Sequence, residues 1–188
     1  RGPTGDILDM FAGAANDTSG GFEIEGYDFT AEYRFDTDFG KFRINWDNAY
    51  VSYYGDIGQP AAGDTLSDGS TSNGNLVGVY LDRLNFAHRL KSNISTNWQY
   101  GDWGATLTAR YLSAIDEDCS LPVAFDRPNL CSNPGGSPQF PDGENIMDET
   151  WYFDLQGTWD APWNGRLTAG VRNLLDQDPP TSYSTFAN

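Results

Sequence analysis

The sequence contains no long hydrophobic run. None of its 188 residues falls in an apolar stretch of 18 or more, and this excludes a transmembrane helix. It does not exclude strands that cross a membrane, because such strands carry their apolar residues only at alternate positions. Helical periodicity is also nearly absent, so the chain is predicted to fold without long helices.

Basic residues are scarce. Lysine and arginine number 11 against 27 aspartates and glutamates, which gives a net charge of −16. A nucleic-acid partner is therefore excluded, because binding to a phosphate backbone requires clustered lysine and arginine. At 14%, the aromatic content is too high for a disordered acidic tail. The composition indicates a folded acidic chain.

Residues that commonly carry catalysis are also few. The chain has one histidine, His88, and it lacks a Cys–His pairing, a Gly-rich phosphate loop and an HExxH motif. His88 is interpreted as a residue at a strand end and not as a ligand or catalyst. Asp116, Glu117 and Asp118 offer the oxygen ligands that calcium prefers, but their spacing matches no EF-hand and a solvated acidic loop is favoured. We predict no enzymatic activity, no cofactor and no resident metal.

The two cysteines, Cys119 and Cys131, lie in a stretch rich in proline and asparagine. An even pair at short spacing favours a loop disulfide in an oxidising compartment. Such a bond would contribute roughly 3 kcal/mol by restricting the unfolded loop. The alternative is a pair of unbonded thiols in a flexible loop.

Alternation of apolar and polar residues recurs six times and predicts six strands. Their ranges are 21–35, 41–55, 84–100, 102–116, 149–160 and 165–176. Tight turns at 36–40, 101–102 and 161–164 alternate with two long loops at 56–83 and 117–148. The predicted fold is all-β, an antiparallel up-and-down meander of about six strands. Structureless loops this long are uncommon in compact domains and count against a soluble sandwich. Outer-membrane barrels show the same asymmetry, with tight turns on one side and long loops on the other.

The two phases of the alternation differ in chemistry. Seven of the eleven basic residues fall on the polar phase: Arg34, Arg43, Arg89, Lys91, Arg110, Arg166 and Arg172. Aromatic residues crowd the apolar phase beside the tight turns: Phe35, Trp98, Tyr100, Trp103 and Trp159. Rings placed in this way are typical of a membrane interface. Asn48 interrupts the apolar phase of the second strand, so a β-bulge is predicted near it.

Three stretches match a known family: "GGFEIEGYDFTAEYRF" (20–35), "HRLKSNISTNWQYGDWGATLTARY" (88–111) and "TAGVRNLLDQDPP" (168–180). With them the chain resembles the C-terminal part of the barrel of TonB-dependent outer-membrane receptors. The third stretch is the most specific, because a strand ends in Val-Arg-Asn-Leu-Leu-Asp and a Pro-containing loop follows.

The resemblance implies that residues 1–188 are the C-terminal portion of a 22-stranded transmembrane β-barrel with a plugged lumen. The six strands would be the sixteenth to twenty-first, and the plug, the TonB box and the last strand would be absent. Because the smallest such barrels have eight strands, we expect the chain to be a piece of a larger protein.

The resemblance also implies a function. The parent protein would import a scarce nutrient, such as a ferric siderophore, cobalamin or an oligosaccharide, across the outer membrane of a Gram-negative bacterium. Its partners would be the rest of the receptor, outer-membrane lipid, the substrate and the inner-membrane TonB complex that supplies energy. Two alternatives are a passive outer-membrane channel or adhesin barrel, and a secreted carbohydrate-binding β-domain.

Two groups of residues are candidates for contact with the plug or the substrate. Polar-phase residues would face the lumen, against the plug or along a substrate path: Arg89, Lys91, Arg110, Asp154, Arg166 and Arg172. Aromatic residues in or beside the long loops could stack on a sugar ring or an aromatic siderophore: Tyr53, Tyr54, Tyr80, Phe125 and Phe140. The alternative for the second group is that the rings pack the loops onto each other.

Overall fold

A computed structural model describes residues 22–56, 74–80 and 87–183. These ranges contain nine strands: β1 (Phe22–Thr37), β2 (Gly40–Asp56), β3 (Val79–Tyr80), β4 (Leu90–Tyr100), β5 (Trp103–Leu112), β6 (Ile115–Asp118), β7 (Glu144–Met147), β8 (Thr150–Ala161) and β9 (Gly165–Val171). Helix α1 (Ser120–Ala124) and a 3₁₀ turn (Pro128–Leu130) are short. The all-β prediction is confirmed.

Six of the strands form one antiparallel sheet in the order β1-β2-β4-β5-β8-β9. These six strands correspond to the six predicted ones, and their order in the sheet is their order along the chain. The predicted meander is therefore also confirmed. Within the described ranges the sheet is open, with β1 and β9 at its edges. Phe42 pairs with both Phe35 and Trp98, and Leu107 pairs with Thr96 and Leu155, so the apolar phases of all six strands share one face.

The tight turns fall where the sequence predicts them. Gly40, Gly101 and Asn164 all have positive φ, at 135°, 54° and 60°. Gly40 also passes close beneath an indole, because Trp98 Nε1 donates to the Phe39 carbonyl at 2.8 Å. A Cβ at position 40 would lie 2.5 Å from that nitrogen. Glycine is therefore required here by both the backbone angle and the close approach of the ring.

Three predicted strands, those at 84–100, 102–116 and 165–176, are longer than the observed ones. The strand predicted at 84–100 begins at Leu90, and positions 84–86 lie outside the described residues, as does Gly21 of the first strand. Ala87 forms a parallel bridge to Val77 instead of extending the antiparallel ladder. The strand predicted at 165–176 ends at Val171, because Asn173 and Asp176 adopt positive φ values of 52° and 51°.

The predicted bulge is displaced. Asn48 is in regular register between Phe29 and Ser92, so the prediction of a bulge beside it is wrong. The register shifts instead at Glu25 and Gly26, which pair with Tyr53 and Val51 across the extra residue Ser52. Gly26 permits the shift because a Cβ there would lie 2.5 Å from the Tyr50 carbonyl oxygen. A side chain at that position would not fit.

The second long loop, predicted without secondary structure, is folded. The strand predicted at 102–116 ends at Leu112, and the chain bends so that β6 pairs antiparallel with β7 and parallel with β3. We call residues 74–80, 113–149 and 177–183 the loop lobe. Most of the apolar core of the described residues lies in it: Val77, Val79, Ile115, Cys119, Cys131 and Met147 are all below 10% exposed.

Candidate functional site

The apolar face of the sheet carries a band of aromatic rings at each end. The turn-side band consists of Trp98, Tyr100, Trp103 and Trp159, and the loop-side band consists of Tyr27, Tyr50, Tyr111 and Trp151. Trp103 stacks on Trp159 with ring centroids 5.6 Å apart, and Tyr111 contacts Trp151 at 4.7 Å. Both pairs join directly opposed residues of β5 and β8.

Smaller apolar residues fill the interval between the bands. On β5 and β8 they are Ala105, Leu107, Ala109, Phe153, Leu155 and Gly157. Trp103 and Tyr111 are eight residues apart, which is about 26 Å along a strand at roughly 3.3 Å per residue. Leu107 and Leu155, at the centre, remain 42% and 41% exposed. The face is therefore an open apolar band edged by aromatic rings.

Sequence analysis identified the turn-side band and missed the loop-side band. The rings of the loop-side band are on the predicted apolar phase. Their alignment in neighbouring rows across the sheet depends on the strand register, which the sequence does not give. Tyr111 and Trp151 share a row with Phe29, and Tyr27 and Tyr50 occupy the next row. One sequence signal could have revealed the loop-side band: the interval from Trp103 to Tyr111 and the interval from Trp159 to Trp151 are both eight residues.

The opposite face is polar and its charges balance. The strands of the large sheet place six carboxylates and six cationic groups on it: Asp28, Glu32, Asp36, Asp47, Asp154, Asp160, and Arg34, Lys41, Arg43, Lys91, Arg110, Arg166. Arg110 Nη2 lies 3.2 Å from Asp154 Oδ2, and Arg166 Nε lies 2.6 Å from Asp160 Oδ1. These twelve groups sum to zero, so the net charge of −16 comes from the other residues of the chain.

The six predicted polar-phase candidates do not converge on one cavity. Lys91 and Arg110 border an open depression of about 540 Å³. Arg166 borders a second one of about 500 Å³ near the tight turns, and Asp154 and Arg172 border a third of about 300 Å³. Arg89 precedes β4 at the loop end, where its carbonyl accepts from Val51 N at 2.9 Å. The six candidates are therefore distributed over the polar surface and do not form a single site.

The Val-Arg-Asn-Leu-Leu-Asp stretch forms a turn clasped onto β8. Asp154 Oδ1 accepts from Asn173 N at 2.8 Å, and the carbonyl of Phe153 accepts from Leu174 N. Asn173 and Gln177 exchange two side-chain to backbone hydrogen bonds, each 3.0 Å long. Asp154 therefore has a structural role at this turn as well as its ion pair with Arg110.

The five aromatic candidates near the loops differ in exposure. Tyr54 is 9% exposed, and its backbone joins the loop lobe through hydrogen bonds with Asn75 and Leu76. Tyr53, Tyr80 and Phe140 are half-buried. Phe125, which follows α1, is 74% exposed. Of the five, Phe125 is the ring most open to a ligand, whereas Tyr54 serves packing.

Cys119 and Cys131 form a disulfide inside the loop lobe, as their context in the sequence predicts. Next to it, the fully buried carboxylate of Glu117 accepts hydrogen bonds from three groups. These are Asn145 Nδ2 at 2.8 Å, Ser182 Oγ at 2.6 Å and Tyr183 N at 2.7 Å. Glu117 therefore fastens the segment around Ser182 to the lobe. Sequence analysis missed this role, because Ser182 and Tyr183 are more than sixty positions away.

The same contacts bear on the possible calcium site. Asp118 accepts from the backbone N and the hydroxyl of Ser120 at 2.9 and 2.8 Å, so Asp118 and Glu117 both serve protein donors. Within residues 22–56, 74–80 and 87–183, no group of three His, Cys, Asp or Glu side chains could hold a metal ion. The acidic tripeptide is part of the hydrogen-bonded framework of the lobe.

Two titratable groups of the lobe and its border are perturbed by burial. Burial raises the pKa of Asp116, and the nearby negative charge of Glu144 acts in the same direction. Burial lowers the pKa of His88, although its Nδ1–H donates to the Ser113 carbonyl at 2.7 Å and this bond opposes the shift. In both groups the environment stabilises the neutral form relative to the charged one.

Comparison of the chain with models of known protein families, with curated proteins and with solved structures finds no match. No helix among the described residues is long and apolar enough to cross a membrane. The two faces of the large sheet and the loop lobe are therefore the features that indicate a function.

Proposed function

We propose that this chain is a segment of a TonB-dependent receptor, a 22-stranded barrel that imports a scarce nutrient across the outer membrane of a Gram-negative bacterium. The six-stranded sheet would form part of the barrel wall. Its apolar face would contact lipid and its polar face would line the lumen. The loop lobe would lie outside the cell, where a disulfide is stable.

The spacing of the two aromatic bands is the observation that carries this proposal. Strands of outer-membrane barrels tilt by roughly 40°, so about 26 Å of strand would span about 20 Å of membrane thickness. This is close to the apolar band of roughly 25 Å that such barrels present between aromatic girdles. Tryptophan and tyrosine suit both borders because their rings are apolar and their N–H or O–H groups are polar.

A secreted soluble β-domain is a weaker alternative. Tyr33, Trp103 and Trp163 are 65%, 57% and 65% exposed, and within the described part of the chain no second layer packs on this face. Soluble proteins seldom expose contiguous apolar patches of this extent. A membrane covers the face without a further protein layer.

Import is favoured over passive conduction by the polar face. This face holds carboxylates beside cationic groups, as in the pairs Arg110–Asp154 and Arg166–Asp160, and its remaining charges would be met by groups of opposite sign on a facing protein surface. A plug that fills the lumen would supply that surface. A passive channel would expose the same groups to water.

The test uses the full-length parent protein, expressed with a tag in its own host. We expect it in the outer-membrane fraction, with mobility on gels that changes on heating. Uptake of labelled nutrients by these cells should stop when a protonophore collapses the inner-membrane gradient, because TonB coupling depends on it. Uptake that is insensitive to the protonophore would indicate a passive channel, and recovery without detergent would indicate a soluble protein.

A further inference from the structure

A cleft of about 500 Å³ opens in the loop lobe between β7 and the segment 177–183. Its floor includes Asn145 and Met147, and its walls include Ser132 on one side and Thr181 and Tyr183 on the other. All of these groups lie at the end of the sheet from which the long loops extend. In the proposed receptor this end would face the medium.

The walls of the cleft are held in place. Cys131 is bonded to Cys119, and Ser132 Oγ accepts from Ile146 N. On the other side Glu117 fastens Ser182 and Tyr183, as described above. Asn145 of β7 also donates to the carbonyl of Thr181 at 3.3 Å, and this bond connects the segment 177–183 to the floor of the cleft. The cleft is therefore preformed, as ligand sites commonly are.

The chemistry of the cleft is acceptor-rich and lacks cations. Asp148, Glu149 and Asp178 line it and are exposed, and no lysine, arginine or histidine lines it. The surrounding stretch 113–149 carries eight carboxylates against the single cation of Arg127. Such a surface repels anions. Carboxylates accept hydrogen bonds from hydroxyl groups, and charge-assisted bonds of this kind are stronger than neutral ones.

We propose that this cleft is an outer recognition site for a neutral oligosaccharide. The proposal rests on the proposed import function and narrows its substrate class, because an anionic ferric siderophore would be disfavoured. Hydroxyl groups of the sugar would donate to Asp148, Glu149 and Asp178. Thr181 would add a hydroxyl partner beside the ring of Tyr183, whereas Ser132 Oγ already donates to Asn145 Oδ1 and accepts from Ile146 N. The binding is non-covalent and requires no metal.

The test compares matched neutral and anionic sugars on the purified full-length parent protein. The probes are fluorescent hexasaccharides of glucose, mannose and xylose, and a hexagalacturonide as the anionic counterpart. We expect a neutral hexasaccharide to bind at least about tenfold more tightly than hexagalacturonide. The variant Asp148→Asn/Glu149→Gln should weaken neutral binding by about tenfold or more, because it removes two charge-assisted hydrogen bonds. The control is Asp142→Asn, at an exposed carboxylate outside the cleft, and it should bind as the unmodified protein does.

Three results would overturn the proposal: no binding of any neutral hexasaccharide, equal binding of hexagalacturonide, or neutral binding that the double substitution leaves unchanged. Its failure is distinguishable from failure of the import function. Protonophore-sensitive uptake of an anionic nutrient that the double variant leaves intact would refute the cleft and retain the importer. Sugar binding by a protein found outside the membrane would retain the cleft and refute the importer.

Discussion

Trp103 and Trp159 are directly opposed on β5 and β8, and their rings stack with centroids 5.6 Å apart. Eight residues away on the same two strands, Tyr111 and Trp151 form the corresponding contact at 4.7 Å. Since the two pairs bracket only small or apolar residues on this face of β5 and β8, they define the depth of the proposed membrane segment. Each position between them has a definite expected environment.

The first prediction concerns Leu107 at the centre of that segment. In the proposed barrel Leu107 faces lipid and Thr106 faces the polar side. A spin label at position 107 of the full-length protein should respond to a lipid-dissolved paramagnetic or quenching partner, and a label at 106 should not. Arginine at Leu107 should lower the free energy of unfolding by roughly 2–4 kcal/mol, as a charge near the bilayer midplane does.

The label is the decisive measurement for this prediction. Arginine in a soluble core would also destabilise the protein, so stability alone does not separate the two environments. Thr106→Arg is the matched control and should cost little, because in the proposed barrel the arginine would meet water or the plug. An equal response to the lipid-dissolved probe at both sites, or none at 107, would contradict the assignment.

The second prediction concerns Asn48, which interrupts the apolar face. Its Nδ2 is buried and has no hydrogen-bond partner among the described residues. A buried donor without a partner costs roughly 1–3 kcal/mol. We therefore expect Asn48→Val to leave the free energy of unfolding unchanged or to raise it. Urea-dependent unfolding of the full-length protein in lipid vesicles measures the change.

Asn97 is the control for Asn48, because it lies on the polar face of the neighbouring strand. Its Nδ2 donates to Ser95 Oγ at 3.2 Å and its Oδ1 accepts from Thr106 Oγ1 at 2.9 Å. Asn97→Val removes both bonds and should lower the free energy of unfolding by about 1 kcal/mol or more. Destabilisation by Asn48→Val to the same extent would show that Asn48 has an unseen partner.

The six-strand meander, the tight turns and the disulfide could be predicted from the sequence, because each follows from local signals. Alternation sets the faces of a strand, and Gly101 or Asn164 permits the turn that follows. The loop-side aromatic band could not be predicted, because Tyr111 and Trp151 come together only through the register of β5 and β8. The fold of the loop lobe could not be predicted either. Its central hydrogen bonds join Glu117 to Ser182 and Tyr183, and no local pattern marks such a pairing.

The third prediction concerns the pH dependence of the loop lobe at Asp116. Because its pKa is raised in the folded lobe, its protonated form favours folding. This contribution is fully present below the pKa of the unfolded chain, at about 4, and is lost as pH rises through the folded value. Asp116→Asn should therefore increase the protection of lobe amides from hydrogen exchange at neutral pH. It should also flatten the decline of that protection above about pH 4.

The control for Asp116 is its neighbour Asp118. Asp118→Asn weakens the two hydrogen bonds to Ser120, so it should reduce amide protection at neutral pH. Opposite signs for these two aspartates would separate a half-buried carboxylate from one that accepts hydrogen bonds from Ser120. A loss of protection in Asp116→Asn would mean that the charged form of Asp116 contributes to folding.

The last prediction concerns Glu117, which holds the segment around Ser182 against the loop lobe. Glu117→Ala would remove the acceptor of three hydrogen bonds, those from Asn145 Nδ2, Ser182 Oγ and Tyr183 N. Hydrogen bonds to a charged group contribute roughly 1.5–3 kcal/mol each. We therefore expect residues 177–183 to detach, with rapid hydrogen exchange and new sites of limited proteolysis there. Asp142→Ala, at an exposed carboxylate of the same lobe outside the cleft, is the control and should leave this protection intact. Detachment should also weaken sugar binding at the cleft, because one of its walls belongs to this segment. If Glu117→Ala kept the segment fully protected, Glu117 would not be the group that fastens it.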